Sequence, residues 1–192
     1  MPQNSPDLPV EEYRGLRATI RERGTARLVT APAIFVAWAA LAITVQTCST
    51  LGLWMLGPLV VLAAGFEVIF ALDVGVERIG RYLQVYYENA DGGLPGWEHA
   101  AMEFGRRAPS AQPRIDPLFS WLFGFAALLN LAGAGVLSLD ARPAPFGISP
   151  GFFLCGLLHA VFAVRVWRGR RFAGIQRESD LKRFQALRGQ KP

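Results

Sequence analysis

Residues 51–88 read LGLWMLGPLVVLAAGFEVIFALDVGVERIGRYLQVYYE, and this stretch decides the fold. Up to Leu72 it carries a single charged residue, Glu67. That part is long enough to cross a hydrocarbon core of about 30 Å as a helix. The remainder continues without a turn signal and places its apolar residues at helical spacing. Glu67 lies about three helical turns past Gly57-Pro58. A carboxylate in such a span costs about 2.5–3.5 kcal/mol on insertion scales, so it needs compensation.

Working outward, the rest of the chain fits the same class. Of its 192 residues 52% are hydrophobic, and they are collected in blocks, while the charged 18% fall almost entirely between the blocks. This is the composition of an all-α polytopic membrane protein, expected as a bundle of four transmembrane helices in a single membrane domain. The net charge of +5 comes from basic residues that flank the apolar blocks. Anionic lipid head groups therefore suit it better than nucleic acid.

The spans are expected at residues 28–47, 51–72, 117–137 and 151–167, with the bilayer as their solvent. Residues 48–50 leave room only for a tight link, so spans one and two form an antiparallel hairpin. Asp116-Pro117 and Ser149-Pro150 are cap-then-proline starts for spans three and four. Residues 1–27 are read as a cytoplasmic segment whose short amphipathic helix lies on the membrane surface and stops near Gly24, or else as a solvated helical tail. Residues 73–116 form a cytoplasmic loop with two helical pieces. In the first, Val74, Ile79, Leu83 and Tyr86 share one side while Glu77, Arg78 and Arg81 take the other, and Glu77 and Arg81 make a favourable i,i+4 pair. A turn is expected at residues 89–93. The second piece, residues 96–106, presents Trp97, Ala101 and Phe104 on one face. Residues 107–115 read as an extended link. The basic tail 168–192 is expected to continue the last helix, with Phe172, Ile175, Leu181, Phe184 and Leu187 loosely on one side.

Basic residues set the orientation. They crowd before span one, between spans two and three, and after span four, leaving Arg142 on the other side. The positive-inside rule then puts both termini and the central loop in the cytoplasm of a cell whose inner (plasma) membrane holds the protein. Trp121 and Trp167 mark the inner interface, and Trp54, Phe152 and Phe153 the outer one. Arg165, Arg168, Arg170 and Arg171 are positioned for lipid head groups.

Small and polar residues mark packed faces between apolar helices. The expected inward stripes are Ala37, Ala40 and Thr44; Ala63, Glu67 and Ala71; Ala126, Asn130 and Gly133 or Ala134; and Gly156, His159 and Ala163. They imply a left-handed four-helix bundle. Counted from the cytoplasmic ends, Glu67 is about 8 Å and His159 about 10 Å deep, so the two can meet, with Asn130 a weaker partner nearer the outer leaflet. This intramembrane polar set is either a proton-responsive pair, a metal or small-ligand site, or plain interhelical glue. The last is favoured because no second intramembrane carboxylate is visible.

Other chemistry is thinly supported. His99 and Glu103 have a chelating i,i+4 spacing, with Glu98 and Glu88 as conceivable further ligands, but two donors are not a site, so no metal or other cofactor is assigned. A bis-histidine haem would need His99 and His159, which lie at different depths. Cys48 and Cys155 fall near the outer face, as two buried thiols or a disulfide. The segment around Cys48 lacks a lipobox, and the first residues do not read as a cleavable signal. No nucleophile elbow, P-loop, dinucleotide fingerprint or zinc-protease motif occurs.

The function expected is non-enzymatic: a membrane scaffold or accessory subunit. Its cytoplasmic face, built from Glu77, Arg78, Arg81, Trp97, His99, Glu103 and Phe104, would bind a protein partner or anionic lipid. A proton-coupled transporter or channel using Glu67, Asn130 and His159, as a homo-oligomer, is the alternative. An enzyme acting on lipid through Glu67, Glu77, His99 or Glu103 has the least support.

Overall fold

The structure is a computed structural model that describes residues 8–88, 96–107, 117–140 and 150–189. The described residues are helical, without strands: α1 (Leu8–Cys48), a short 3-10 turn (Gly52–Met55), α2 (Leu56–Tyr86), α3 (Trp97–Arg107), α4 (Pro117–Asp140) and α5 (Pro150–Gly189). Four helical segments, Pro9–Cys48, Gly52–Tyr86, Phe119–Ser138 and Pro150–Gly169, are long and apolar enough to cross a membrane. The turn at 89–93, most of the link at 107–115 and of the loop at 138–148, and the caps Asp116 and Ser149 lie outside the described residues.

Three helices are longer than their apolar spans. α5 runs unbroken past Trp167 to Gly189, as its pattern suggests. α2 likewise joins its apolar and amphipathic parts, but it starts later than residue 51, because Gly52–Met55 is a 3-10 turn. α1 corrects the reading of a separate surface helix, since it passes through Gly24 and Pro32 without a stop. A glycine in a helix costs only about 1 kcal/mol. Tertiary contacts outweigh that here: the Arg27 guanidinium, one turn on, donates to Asp73 at 2.8 Å.

The chain forms two compact units. One comprises the described parts of residues 28–70 and 115–171. Its centre is aromatic: Phe66 meets Phe123 and Phe162 edge-on, with ring centroids 5.5 and 6.2 Å apart. Leu59, Leu62, Ile69, Ala126, Ala127 and Val166 are buried around them. A second cluster, Met55, Ala134, Leu137 and Cys155, brings the 3-10 turn against α4. Close approach there depends on Gly52, where an added Cβ would lie 2.5 Å from the carbonyl oxygen of Ala134.

The inward stripes are corrected by this packing. On α4 the expected Ala126, Asn130 and Ala134 are buried. On α1, Ala37, Ala40 and Thr44 are exposed, and Ala31, Ile34, Phe35 and Trp38 face the core. On α2, Glu67 and Ala71 are exposed and Ala63 is only half-buried, while Leu62, Phe66 and Ile69 point inward. On α5, Ala163 is exposed and the inward residues are Cys155, His159, Phe162 and Val166. Large side chains of α2 and α5 fill the centre, and the expected small residues mark the packed face only on α4. The thiols stay separate and free, Cys155 buried and Cys48 exposed, the latter against the expectation of two buried ones.

The other unit comprises the described parts of residues 8–27, 71–107 and 172–189. Tyr82 meets Tyr86 and Phe184 at centroid distances of 4.7 and 5.6 Å. Tyr13 meets Tyr87 at 5.5 Å. The loose stripe on the tail divides: Leu181 and Phe184 are partly buried, whereas Phe172, Ile175 and Leu187 are exposed.

The Gly52 contact is directly testable. Gly52→Ala should lower the thermal midpoint in detergent, at a cost of about 1–3 kcal/mol, because a carbonyl oxygen cannot move aside as a side chain can. Gly124→Ala, where a Cβ meets nothing within 4 Å, should be neutral or slightly stabilising.

Candidate functional site

Two polar constellations stand out, one in each unit. In the first unit Asn130, 1% exposed, holds three partners. Its amide nitrogen donates to the Met55 carbonyl at 2.7 Å and lies 3.0 Å from His159 Nε2. Its oxygen accepts from the Trp38 indole at 3.2 Å. His159 Nδ1 lies 2.7 Å from the Cys155 carbonyl oxygen, which can only accept. Nδ1 therefore carries the proton, and Nε2 accepts from Asn130. Every polar atom of the amide and the ring has a partner in this arrangement, with His159 neutral.

This corrects the expected Glu67–His159 pair. Asn130, and not Glu67, is the partner of His159. A count from the cytoplasmic end of span four misplaces His159, because α5 continues past that point to Gly189. Asn130 lies ten residues before the end of α4 and His159 nine after the start of α5, so the antiparallel helices bring them level. Glu67 faces outward and accepts from Arg165 at 2.7 Å. The Arg165 guanidinium also lies over the Phe70 ring, 4.8 Å from its centroid. The sequence reading missed Trp38, although an indole N–H in mid-span signals the need for an acceptor.

In the second unit the organising group is the Glu88 carboxylate, whose side chain is 7% exposed. It caps the N-terminus of α3, accepting from the backbone N–H groups of Glu98 and His99, each at 3.0 Å. Its Oε2 also lies 3.2 Å from His99 Nδ1. Arg17 donates to Glu98 at 3.0 Å and reaches Glu88 at 3.5 Å. A carboxylate at the positive end of a helix satisfies two N–H groups that have no partner within the helix.

Arg81, expected on the cytoplasmic interaction face, is buried. It donates to Gln84 at 2.7 Å and to the Met102 sulfur at 3.2 Å. Glu77 and Glu98 stand 3.7 and 3.8 Å from its guanidinium. Burial pushes Arg81 below the usual arginine range, and these carboxylates oppose the shift. Glu77 is itself held by both arms of Arg177 at 2.8 Å, and Arg78 donates to the buried Asp180 at 3.3 Å. Burial and then the Glu12 carboxylate, which accepts from the Tyr82 hydroxyl at 2.8 Å, push the Tyr82 phenol up to about 12.

The expected interaction residues thus separate. Glu77, Arg78, Arg81 and His99 hold helices together. Glu103 pairs with Arg107 at 2.8 Å on the surface, whereas His99 faces Glu88. Among the described residues, no three His, Cys, Asp or Glu side chains gather as a metal-binding group. Trp97 and Phe104 are 72% and 65% exposed. Arg168 and Arg171 are exposed, with the Arg171 guanidinium 3.9 Å above the Trp167 ring centroid; the side chain of Arg170 lies outside the described residues.

Comparison with protein-family models, curated proteins and solved structures finds no match for this chain.

Removing the Glu88 cap should release α3. In Glu88→Ala, amide exchange at Glu98 and His99 should quicken by about tenfold or more, from the loss of charge-assisted bonds worth about 1.5–3 kcal/mol each. Exchange in α4 should be unchanged. Mass-spectrometric hydrogen exchange on the full chain reads both.

Proposed function

We propose that this protein is a membrane-embedded scaffold or accessory subunit. The four apolar spans lie in the inner membrane, and α3 is presented to a protein partner in the cytoplasm. The observation that carries this reading is α3. Its inner side is fastened by Glu88, Arg17 and Arg81, while Trp97 and Phe104 on its other side remain exposed. A rigidly held helix with exposed aromatic anchors matches the chemistry of an interface centre, where tryptophan and other large apolar groups supply most of the affinity.

A protein suits this face better than a lipid surface. Within α3 the two acidic residues Glu98 and Glu103 balance Arg106 and Arg107, so no net positive charge draws it to anionic head groups. Arg168 and Arg171 beside Trp167 serve that role, with the chain oriented by its basic residues so that both termini are cytoplasmic.

Transport through Glu67, Asn130 and His159 is the weaker reading. The Asn130–His159 pair is fully hydrogen-bonded, and the Glu67 carboxylate faces away from it towards Arg165.

Native mass spectra of the protein released from its own membranes should contain the chain with a second protein. The Trp97→Ala, Phe104→Ala variant should lose that protein while keeping its unfolding free energy within about 0.5 kcal/mol, as surface substitutions do. Retention of the same complex by the double variant would sink the docking role of α3. A pH-dependent flux in liposomes that Glu67→Gln abolishes would instead favour transport.

A further inference from the structure

The Glu67–Arg165 ion pair sits in an unusual place. Charged side chains within membrane spans almost always face the bundle interior or a water-filled cavity. Here the Glu67 and Arg165 side chains are 50% and 39% exposed on the outside of the four-helix unit. Glu67 is about 8 Å from the inner end of its span at Leu72, and Arg165, about 3 Å along α5 from Trp167, reaches it there, so the pair lies in the inner part of the acyl region.

The surroundings have the form of a seam. Val60, Ala64, Glu67 and Val68 recur at helical spacing along one exposed side of α2. Ala64 is small enough to let another helix approach closely. An apolar hollow of about 350 Å³, lined by Leu53, Trp54, Leu56, Gly57 and Val60, opens at the start of the same side. Val60 belongs to both features.

We propose that this side of the unit is the interface of a two-fold homodimer, in which each copy's Glu67–Arg165 pair closes on that of the other. The inference rests on the four apolar helices crossing the membrane. Copies inserted with the same orientation are related by an axis along the membrane normal, which preserves depth. Glu67 and Arg165 already lie at one depth within a copy, so the axis sets each arginine against the other copy's carboxylate. Two neutral pairs become a closed square of alternating charge, removed from the acyl chains. A phosphate head group is a poorer occupant, because Glu67 repels what Arg165 attracts. A different protein would need its own matching pair, whereas a second copy is complementary by construction.

Charge exchange between copies tests this on the full chain in native membranes. Carbonate-washed membranes establish first that the protein is embedded. Its release by carbonate would end both the membrane reading and the dimer. With two affinity tags, Glu67→Arg alone carries four positive groups at the interface and Arg165→Glu alone four negative ones. Self-capture of each should fall by about tenfold or more. Co-expressing the two variants should restore capture between them, because every contact across the interface is then of opposite sign. A purely internal ion pair could not be rescued in this way.

A second readout leaves the charges intact. Ala64→Cys in a Cys48→Ser background should form an oxidative cross-link at twice the chain mass. Val36→Cys, which is 68% exposed on α1, should not. Absence of the Ala64→Cys cross-link, unchanged self-capture of the single charge variants, failure of the mixed pair to associate, or a monomer carrying tightly retained anionic lipid would each overturn the proposal.

Discussion

A buried amide must find partners for its donors and its acceptor, and in the four-helix unit that requirement falls on Asn130. Its hydrogen bonds reach Trp38 of α1, the Met55 carbonyl just before α2, and His159 of α5. One side chain of α4 thereby sets the register of the other three helices. Apolar contacts between such helices discriminate weakly among rotations, since one aliphatic neighbour resembles another. A buried polar network admits few arrangements that leave nothing unpaired. The 3-10 turn belongs to the same constraint, because it carries the Met55 carbonyl to within 2.7 Å of the amide.

The second unit is organised differently. There the polar groups are charged, and they balance: Arg17 and Arg81 against Glu88, Glu98 and Glu77, the last also held by Arg177. Burying such groups is costly, and their mutual attraction offsets the cost only with good geometry. The return is specificity. α3 has few large apolar side chains on its inner side, and its place is determined by Glu88 at its first turn and by Arg17 and Arg81 around Glu98. That leaves its aromatic residues free to face outward.

The two units therefore fix their helices by different means. Uncharged hydrogen bonds fix helices in the apolar unit, where charge would be hardest to accommodate. Ion pairs fix helices in the polar unit, where water can moderate them. Glu67 and Arg165 are the exception, an ion pair on the outside of the apolar unit, and for that reason they point beyond the single chain.

By itself the sequence determined the helical class, the four apolar stretches, the α5 extension and α3, because hydropathy and helical spacing are properties of neighbours along the chain. It also singled out Glu67, Asn130 and His159 as polar groups needing partners. It did not determine who those partners were. Segments that are apolar on all sides carry no periodic signal of which side is inward, so Ala37 and Ala40 looked like packing residues while Phe66, Phe123 and Phe162 did the packing. Gly24 looked like a break because local propensity disfavours glycine in a helix by about 1 kcal/mol, and contacts distant in sequence exceed it. Glu88 capping α3, Arg81 buried beside Met102 and Trp38 bonded to Asn130 join residues 10, 21 and 92 positions apart. Only the tertiary structure could decide those pairings, since a hydrogen bond depends on where two atoms meet in space.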